Sequence, residues 1–201
     1  MVVPRCYGHV TRSVAECAGI SDLATVIRLA TPSDVPEIAR IHVQTWQAAY
    51  RGHMPDAYLD ALAPSQRVPL WTRAVVDPTV VVLVAVVEET AEATLAGFCS
   101  LGAARDDDAT SQVGEVTAIY VEPRRWRSGV GADLMAAALA AATRLNFSEL
   151  TLWVLAGNVA ARRFYERHGF DADGRSKVEQ RAAFTLDEVR YRRALPTAGE
   201  P

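Results

Sequence analysis

The chain has little cysteine, no long apolar run and no surplus of basic residues, and each shortage removes a class of protein. Its three cysteines, Cys6, Cys17 and Cys99, are unevenly spread. They form neither a disulfide framework nor a zinc-ligand spacing, so a reducing, cytoplasmic setting is expected. No stretch reaches the ~20 apolar residues of a membrane-spanning helix, and no membrane partner is expected. The first 25 residues are broken by Arg5, His9, Arg12, Glu16 and Asp22. They lack the continuous apolar core of a signal peptide and show no clear period, which reads as a flexible extension. With 21 Lys and Arg against 24 Asp and Glu, the chain lacks the basic excess of a nucleic-acid binder. The local clusters at 124–127 and 190–193 read as solvated surface or anion contacts. His42 and His53 have no third ligand at a metal spacing, so no metal is expected. The aspartates 106–108 lack the periodicity and closing Glu of a calcium loop and read as a solvated loop.

What is present suits one globular domain. Half of the 201 residues are hydrophobic, enough for a sizeable core. No repeat or linker divides the chain. The organisation expected is an extension over 1–25, a domain over 26–195 and a short tail over 196–201. Val26 to Leu29 reads as a first strand. Asp34 and Glu37 have the spacing of a capping box, and the helix they open runs to about Tyr50. Ile38, Ile41, Thr45 and Ala48 line one face of it; Val35, His42, Trp46 and Tyr50 line the adjoining face. Short helices are expected over Asp56–Ala63 and Pro64–Val75. The apolar run Val80–Val87 suits a strand buried on both faces, in a hairpin with Thr94–Leu101. Val113–Val121, Glu149–Leu155, Phe170–Arg175 and Ala183–Leu195 complete the strands. Glu188–Leu195 alternates like an edge strand.

The chemistry gathers around the stretch 113–131. A β-branched and aromatic strand ends at Pro123, which cannot donate to a sheet ladder. Gly129 and Gly131 then open an Ala- and Leu-rich helix, Ala132–Leu145, with Leu134, Ala138, Ala141 and Leu145 on one face. A glycine-lined helix start offers free N–H groups and the positive end of a helix dipole, a site for phosphate or pyrophosphate. No Lys-Ser or Lys-Thr comes after the glycines, which excludes the NTPase P-loop, and the third glycine of the dinucleotide fingerprint is missing. A tight turn that binds nothing competes with the anion site. A downstream stretch decides between them: Asn158, Ala161, Phe164, Tyr165, Gly169 and Phe170, spaced on a second helix.

Together these two stretches resemble the GNAT superfamily of acyl-CoA-dependent N-acetyltransferases. The family's later helix, Asn-x-x-Ala-x-x-Phe-Tyr-x-x-x-Gly-Phe, is matched throughout. Its pyrophosphate loop, Arg/Gln-x-x-Gly-x-Gly/Ala, is matched at both glycines, with Trp126 in place of Arg or Gln. The resemblance implies an α/β fold, a mixed and mostly antiparallel twisted sheet of six or seven strands flanked by helices. A V-shaped splay between the strand 113–121 and the strand 149–155 would admit acetyl-CoA. It implies that Arg127, Ser128, Gly129, Val130, Gly131 and Ala132 hold the pyrophosphate. The backbone of Ile119, Tyr120 and Val121, with Asn158 and Phe164, would line the rest of the cofactor path. Tyr165 would be the general acid and Glu115 the base acting through water, against a salt-bridged strand glutamate as the alternative. Trp46, Tyr50 and Tyr58 would either wall an acceptor pocket or belong to the core. The function implied is transfer of an acetyl group to a primary amine of a small molecule or a protein, with a non-catalytic acyl-CoA-binding or sensing module as the alternative. Homodimerisation stays open.

Overall fold

The computed structural model describes residues 25–89, 92–181 and 184–196. The extension expected over 1–25 and the tail over 196–201 fall almost entirely outside them, as do Cys6 and Cys17. Seven strands and five α-helices alternate in the order β1 (Thr25–Leu29), α1 (Val35–Ala49), α2 (Asp56–Asp60), α3 (Val68–Val76), β2 (Val80–Glu89), β3 (Glu92–Ala103), β4 (Val113–Val121), α4 (Val130–Arg144), β5 (Glu149–Leu155), α5 (Val159–Arg167), β6 (Asp171–Gln180) and β7 (Thr185–Ala194). They build one sheet in the order β1-β2-β3-β4-β5-β7-β6. Only the β4–β5 pair is parallel; every other pair is antiparallel. The β4–β5 pair is joined through α4, as a parallel crossover requires.

Side-chain alternation gives the sheet two apolar faces. On one, Leu83, Ala85, Cys99, Leu101, Val116, Leu150 and Leu152 pack against Leu134, Met135 and Ala138 of α4. On the other, Val82, Val84, Phe98 and Ala118 pack against Val35, Ile38 and Ile41 of α1 and Trp71 of α3. Small residues on α4 let it sit close to the strands, and Ala138 and Ala142 are fully buried. A third cluster joins Trp46, Tyr50, Met54, Tyr58 and Leu59 to Leu155 and Leu186, where the α1–α2 connection crosses the ends of β5 and β7.

Three sequence expectations are corrected. β7 is an interior strand between β5 and β6, and β6 is the edge; alternation there reflects two differently filled faces, since Tyr191 is buried on the α4 side while Arg190 is buried on the other. Leu145 is 45% exposed, because α4 ends one residue before it. Asp34 and Glu37 form no capping box. Asp34 instead takes a two-pronged contact from the Arg28 guanidinium at 2.7 and 2.9 Å and accepts the Thr31 N–H at 2.7 Å. These charge-assisted contacts occupy both carboxylate oxygens. They hold the Asp34 carboxyl down to about 2, against its ordinary value near 4. Glu37 pairs with Arg40.

The loop between β3 and β4 is also more than solvated. Arg190 of β7, its side chain 3% exposed, donates to Asp106 at 2.9 Å, to both oxygens of Asp108 at 2.7 and 2.8 Å, and to Asp173 of β6 at 2.7 Å. Trp153 Nε1–H adds a contact to Asp106 at 3.1 Å. One cation thus ties the loop to β5, β6 and β7. Hydrogen bonding to Arg190 lowers the Asp108 carboxyl. The Asp173 carboxyl is lowered too: its burial opposes this, but the Arg175 N–H and Arg190 outweigh it. Arg190→Leu is expected to lower the melting temperature by about 5 °C or more at pH 7. Carboxyls depressed in the folded state lend stability above their unfolded value and lose it as pH falls through the folded one. The deficit should therefore hold down to about pH 4 and narrow below it, as thermal unfolding at a series of pH values would show.

Candidate active site

The site begins where two strands part. β4 and β5 pair at Val113 with Glu149, Gly114 with Leu150 and Glu115 with Thr151, and there the register ends. At the closed end Gly114 is required: a Cβ would lie 2.7 Å from the Phe147 ring and 2.8 Å from Leu150. Beyond it, β4 carries a bulge against β3. Ser100 faces Ala118 while Leu101 faces Val116, so Thr117 is the extra residue. A bulge bends and twists its strand, turning the second half of β4 away from β5. The open ends of β4 and β5 thus form a V with Ile119, Tyr120 and Val121 on one arm and Val154 and Leu155 on the other.

At the mouth of the V stands the glycine-rich loop. Arg127 has φ 64° and Gly129 φ 94°, two left-handed residues that swing the backbone into the start of α4 at Val130. The first N–H groups of a helix have no intrahelical acceptor. Here they are those of Val130 and Gly131; the Ala132 N–H already donates to the Gly129 carbonyl at 2.8 Å. Nothing lies within 4 Å of a Cβ built on Gly129, so its backbone is open to a bulky anion. Phe164 of α5 packs behind the helix start, 3.4 Å from a Cβ built on Gly131. Asn158 caps α5, its Oδ1 accepting the Ala161 N–H at 3.1 Å. Trp126 is 43% exposed, but its indole N–H reaches back to the strand. Its Nε1–H donates to the Val121 carbonyl at 2.8 Å, and the Thr45 hydroxyl of α1 donates to the same oxygen at 3.1 Å. The first pins the loop, and the second pins α1, to the end of β4. Ser128 bonds the Arg125 carbonyl at 2.7 Å.

Tyr165 lies on the α4 side of the sheet among Phe164, Phe170 and Tyr191, with ring centroids 5.5, 6.2 and 6.4 Å away. Burial raises its phenol above the ordinary value, and proximity to the Tyr120 and Cys99 side chains adds to the rise. Tyr120 points to the opposite side, so the two phenols approach through the V. Glu115 is 7% exposed. It shares the Tyr120 side of β4, since Gly114 packs on Phe147 on the other. It sits at the closed end, and the Arg105 guanidinium holds its two oxygens at 3.2 and 3.3 Å.

Beyond the V on that side stands an aromatic wall. Trp46 and Tyr50 meet edge to face at 5.3 Å, and Tyr50 and Tyr120 stand close enough to perturb each other's phenol. Tyr58 belongs to the same cluster but stacks on Phe184 at 4.9 Å. His42 lies 5.0 Å from the Tyr120 ring and 5.2 Å from Trp46. Its Nδ1 accepts the Trp71 Nε1–H at 3.0 Å. Burial, helped by the Arg67 charge, lowers it to about 3. The structure therefore brings Trp46, Tyr50, Tyr120 and Tyr165 to the two sides of one opening, with the glycine loop at its rim and Glu115 at its base. Sequence reasoning missed His42, Arg67 and Glu188. His42 shares a helical face with Trp46 and Tyr50, which was a signal; Arg67 and Glu188 arrive by tertiary folding and carried none.

The family profile described as Acetyltransferase (GNAT) family matches residues 36–170. The Bacillus subtilis protein named uncharacterized N-acetyltransferase YuaI is 27% identical over 132 residues, 66% of this chain and 72% of its own length. Among solved structures, the PaiA N-acetyltransferase of Thermoplasma acidophilum in complex with coenzyme A superposes with a TM-score of 0.63 at 18% identity, over 86% of this chain and 99% of that one. YncA of Salmonella typhimurium with acetyl-CoA superposes with a TM-score of 0.64 at 21% identity, over 89% and 98% of the two chains.

A histidine held near 3 is neutral at every pH where the fold is used. The His42 imidazole resonances are expected to stay unshifted between pH 5 and 8, whereas an exposed imidazole would titrate near 6.5. A titration of His42 in that window by NMR would contradict its burial.

Proposed function

The chain belongs to the acetyltransferase (GNAT) family, and on that premise we propose that it moves the acetyl group of acetyl-CoA directly onto a primary amine. One observation carries the proposal: the V between β4 and β5 opens under a left-handed glycine loop, with a buried phenol on one side and an aromatic wall on the other. Acetyl-CoA fits this arrangement by its chemistry. The helix start and the open Gly129 suit a pyrophosphate, and the unpaired strand edges suit the amide groups of a pantetheine arm.

When bound, acetyl-CoA supplies an activated acyl group; the protein supplies position and protons. Arg127, Ser128, Gly129, Val130, Gly131 and Ala132 hold the diphosphate. Backbone groups of Ile119, Tyr120 and Val121 align the pantetheine, and an N–H of this stretch donates to the thioester carbonyl oxygen, where negative charge develops. Asn158 and Phe164 close the far side. The amine, relieved of its proton through water by Glu115, attacks the carbonyl carbon; the new C–N bond forms as the C–S bond breaks. Tyr165 delivers its hydroxyl proton to the departing sulfur. Trp46, Tyr50 and Tyr58 wall the acceptor. Burial keeps the Tyr165 phenol protonated at working pH, the state its role requires.

Isothermal titration with acetyl-CoA and with CoA should give saturable binding of both. Absence of both would remove the cofactor assignment. Tyr165→Phe is expected to lower kcat by about ten-fold or more with cofactor affinity unchanged; an unchanged kcat would end its role as the acid. In the wild type no alkaline limb should arise from Tyr165 below about pH 10, because its phenol titrates above that value. For Glu115→Gln the informative reading is the acidic limb of kcat/KM, which shifts or disappears when Glu115 is the base and stays in place when it only balances Arg105.

A further inference from the structure

Resting on the assignment of acetyl transfer to an amine, we infer that the acceptor also carries a carboxylate, bound by Arg67, His42 and Trp46, with its ammonium directed toward Glu188. The acceptor is then a small zwitterion of the amino-acid kind.

Orphaned donors point to the carboxylate. Buried polar atoms are almost always hydrogen-bonded, and each exception needs an account. Among the described residues, His42 Nε2, Trp46 Nε1 and Arg67 Nε are buried with no partner. All three belong to one cluster: the His42 and Trp46 rings are 5.2 Å apart, and the Arg67 guanidinium lies 5.2 Å from the Trp46 ring. All three are donors. His42 is neutral and its Nδ1 accepts from Trp71, so Nε2 carries the hydrogen. The Trp46 Nε1–H reaches toward the Tyr120 oxygen without the alignment of a full hydrogen bond. Buried donors without acceptors, one on a guanidinium, form half of an anion site. The His42 side chain, 5% exposed, cannot turn to solvent for relief.

The opposite sign stands across the aromatic wall. Glu188 lies opposite Leu155, on the open arm of the V. Its side chain is 18% exposed, and its contact with Lys177 is a loose 3.4 Å. Tyr120 lies within electrostatic reach of both Arg67 and Glu188, and Tyr50 of Glu188. A cation and an anion thus both act on the Tyr120 phenol, beside the opening through which the acyl group would arrive. A molecule with an amine at one end and a carboxylate at the other matches that order of charge. A simple monoamine leaves three donors buried and unpaired, which costs affinity.

The test is a thiol-release assay with acetyl-CoA over L-amino acids, β-alanine and γ-aminobutyrate, each paired with its amide and with the amine lacking the carboxylate. At least one acid is expected to exceed its amide by about ten-fold or more in kcat/KM, the size of a charge-assisted contact. Arg67→Gln should raise KM for that acid about ten-fold with kcat little changed, and change the amide less than three-fold. Arg67→Lys should recover part of the loss. Glu188→Gln should raise KM for acid and amide alike, since both carry the ammonium. Acetyl-CoA affinity by titration checks that each variant is folded. Amides or plain amines used as well as the acids would overturn the inference and leave acetyl transfer standing, with ordered water alone at the three donors. Arg67→Gln weakening acid and amide equally would overturn it too. Failure of every amine in the presence of bound acetyl-CoA would overturn both.

Discussion

The parting of β4 from β5 is the constraint on which the rest depends. Three paired residues hold the strands together at one end, and everything useful happens where pairing stops. A continuous sheet would satisfy the backbone and leave no opening. Here Gly114 allows tight packing at the closed end, and the bulge at Thr117 diverts β4 just beyond it. Unpaired strand edges inside a protein are costly unless a partner satisfies them. A ligand with amide groups along its length would be such a partner, the one the proposed function supplies.

The two faces of the sheet divide the work. On one face α4 and α5 bring the glycine loop, Asn158, Phe164 and Tyr165. On the other, α1 and the segment leading to α3 bring Trp46, Tyr50, His42 and Arg67. The V connects the faces, and Tyr120 and Tyr165 approach each other through it. Trp126 occupies the place where a loop side chain could have reached an anion, and instead fastens the loop to Val121 alongside Thr45. In the proposed function this leaves the backbone, open at Gly129, as the main element for holding the diphosphate.

The C-terminal arm is held differently from the apolar sheet beside it. β6 is exposed over most of its length, and its attachment relies on Arg190 gathering Asp106, Asp108 and Asp173. A buried cation needs this many partners to offset its desolvation. The aspartates that looked like a solvated loop in the sequence are those partners, and the run that looked like an edge strand is an interior one.

Local pattern by itself determined much of this protein. Proline and glycine positions, the apolar runs and the β-branched strand located most strands and helices within a few residues, because those signals act over a single turn or pleat; β6 runs five residues past the expected Arg175 and α3 starts four residues after Pro64. The order Gly129, Gly131, Asn158, Phe164 and Tyr165 was enough to suggest the family, since backbone approach and helix capping depend on neighbouring residues. Tertiary structure alone decided which strand was the edge, that Asp34 binds Arg28 as well as the Thr31 N–H, and that Asp106 and Asp108 meet an arginine more than eighty residues away. It alone brought Arg67 and Glu188 within electrostatic reach of Tyr120. Charge pairing and burial act through space, and distance along the chain carries no record of them.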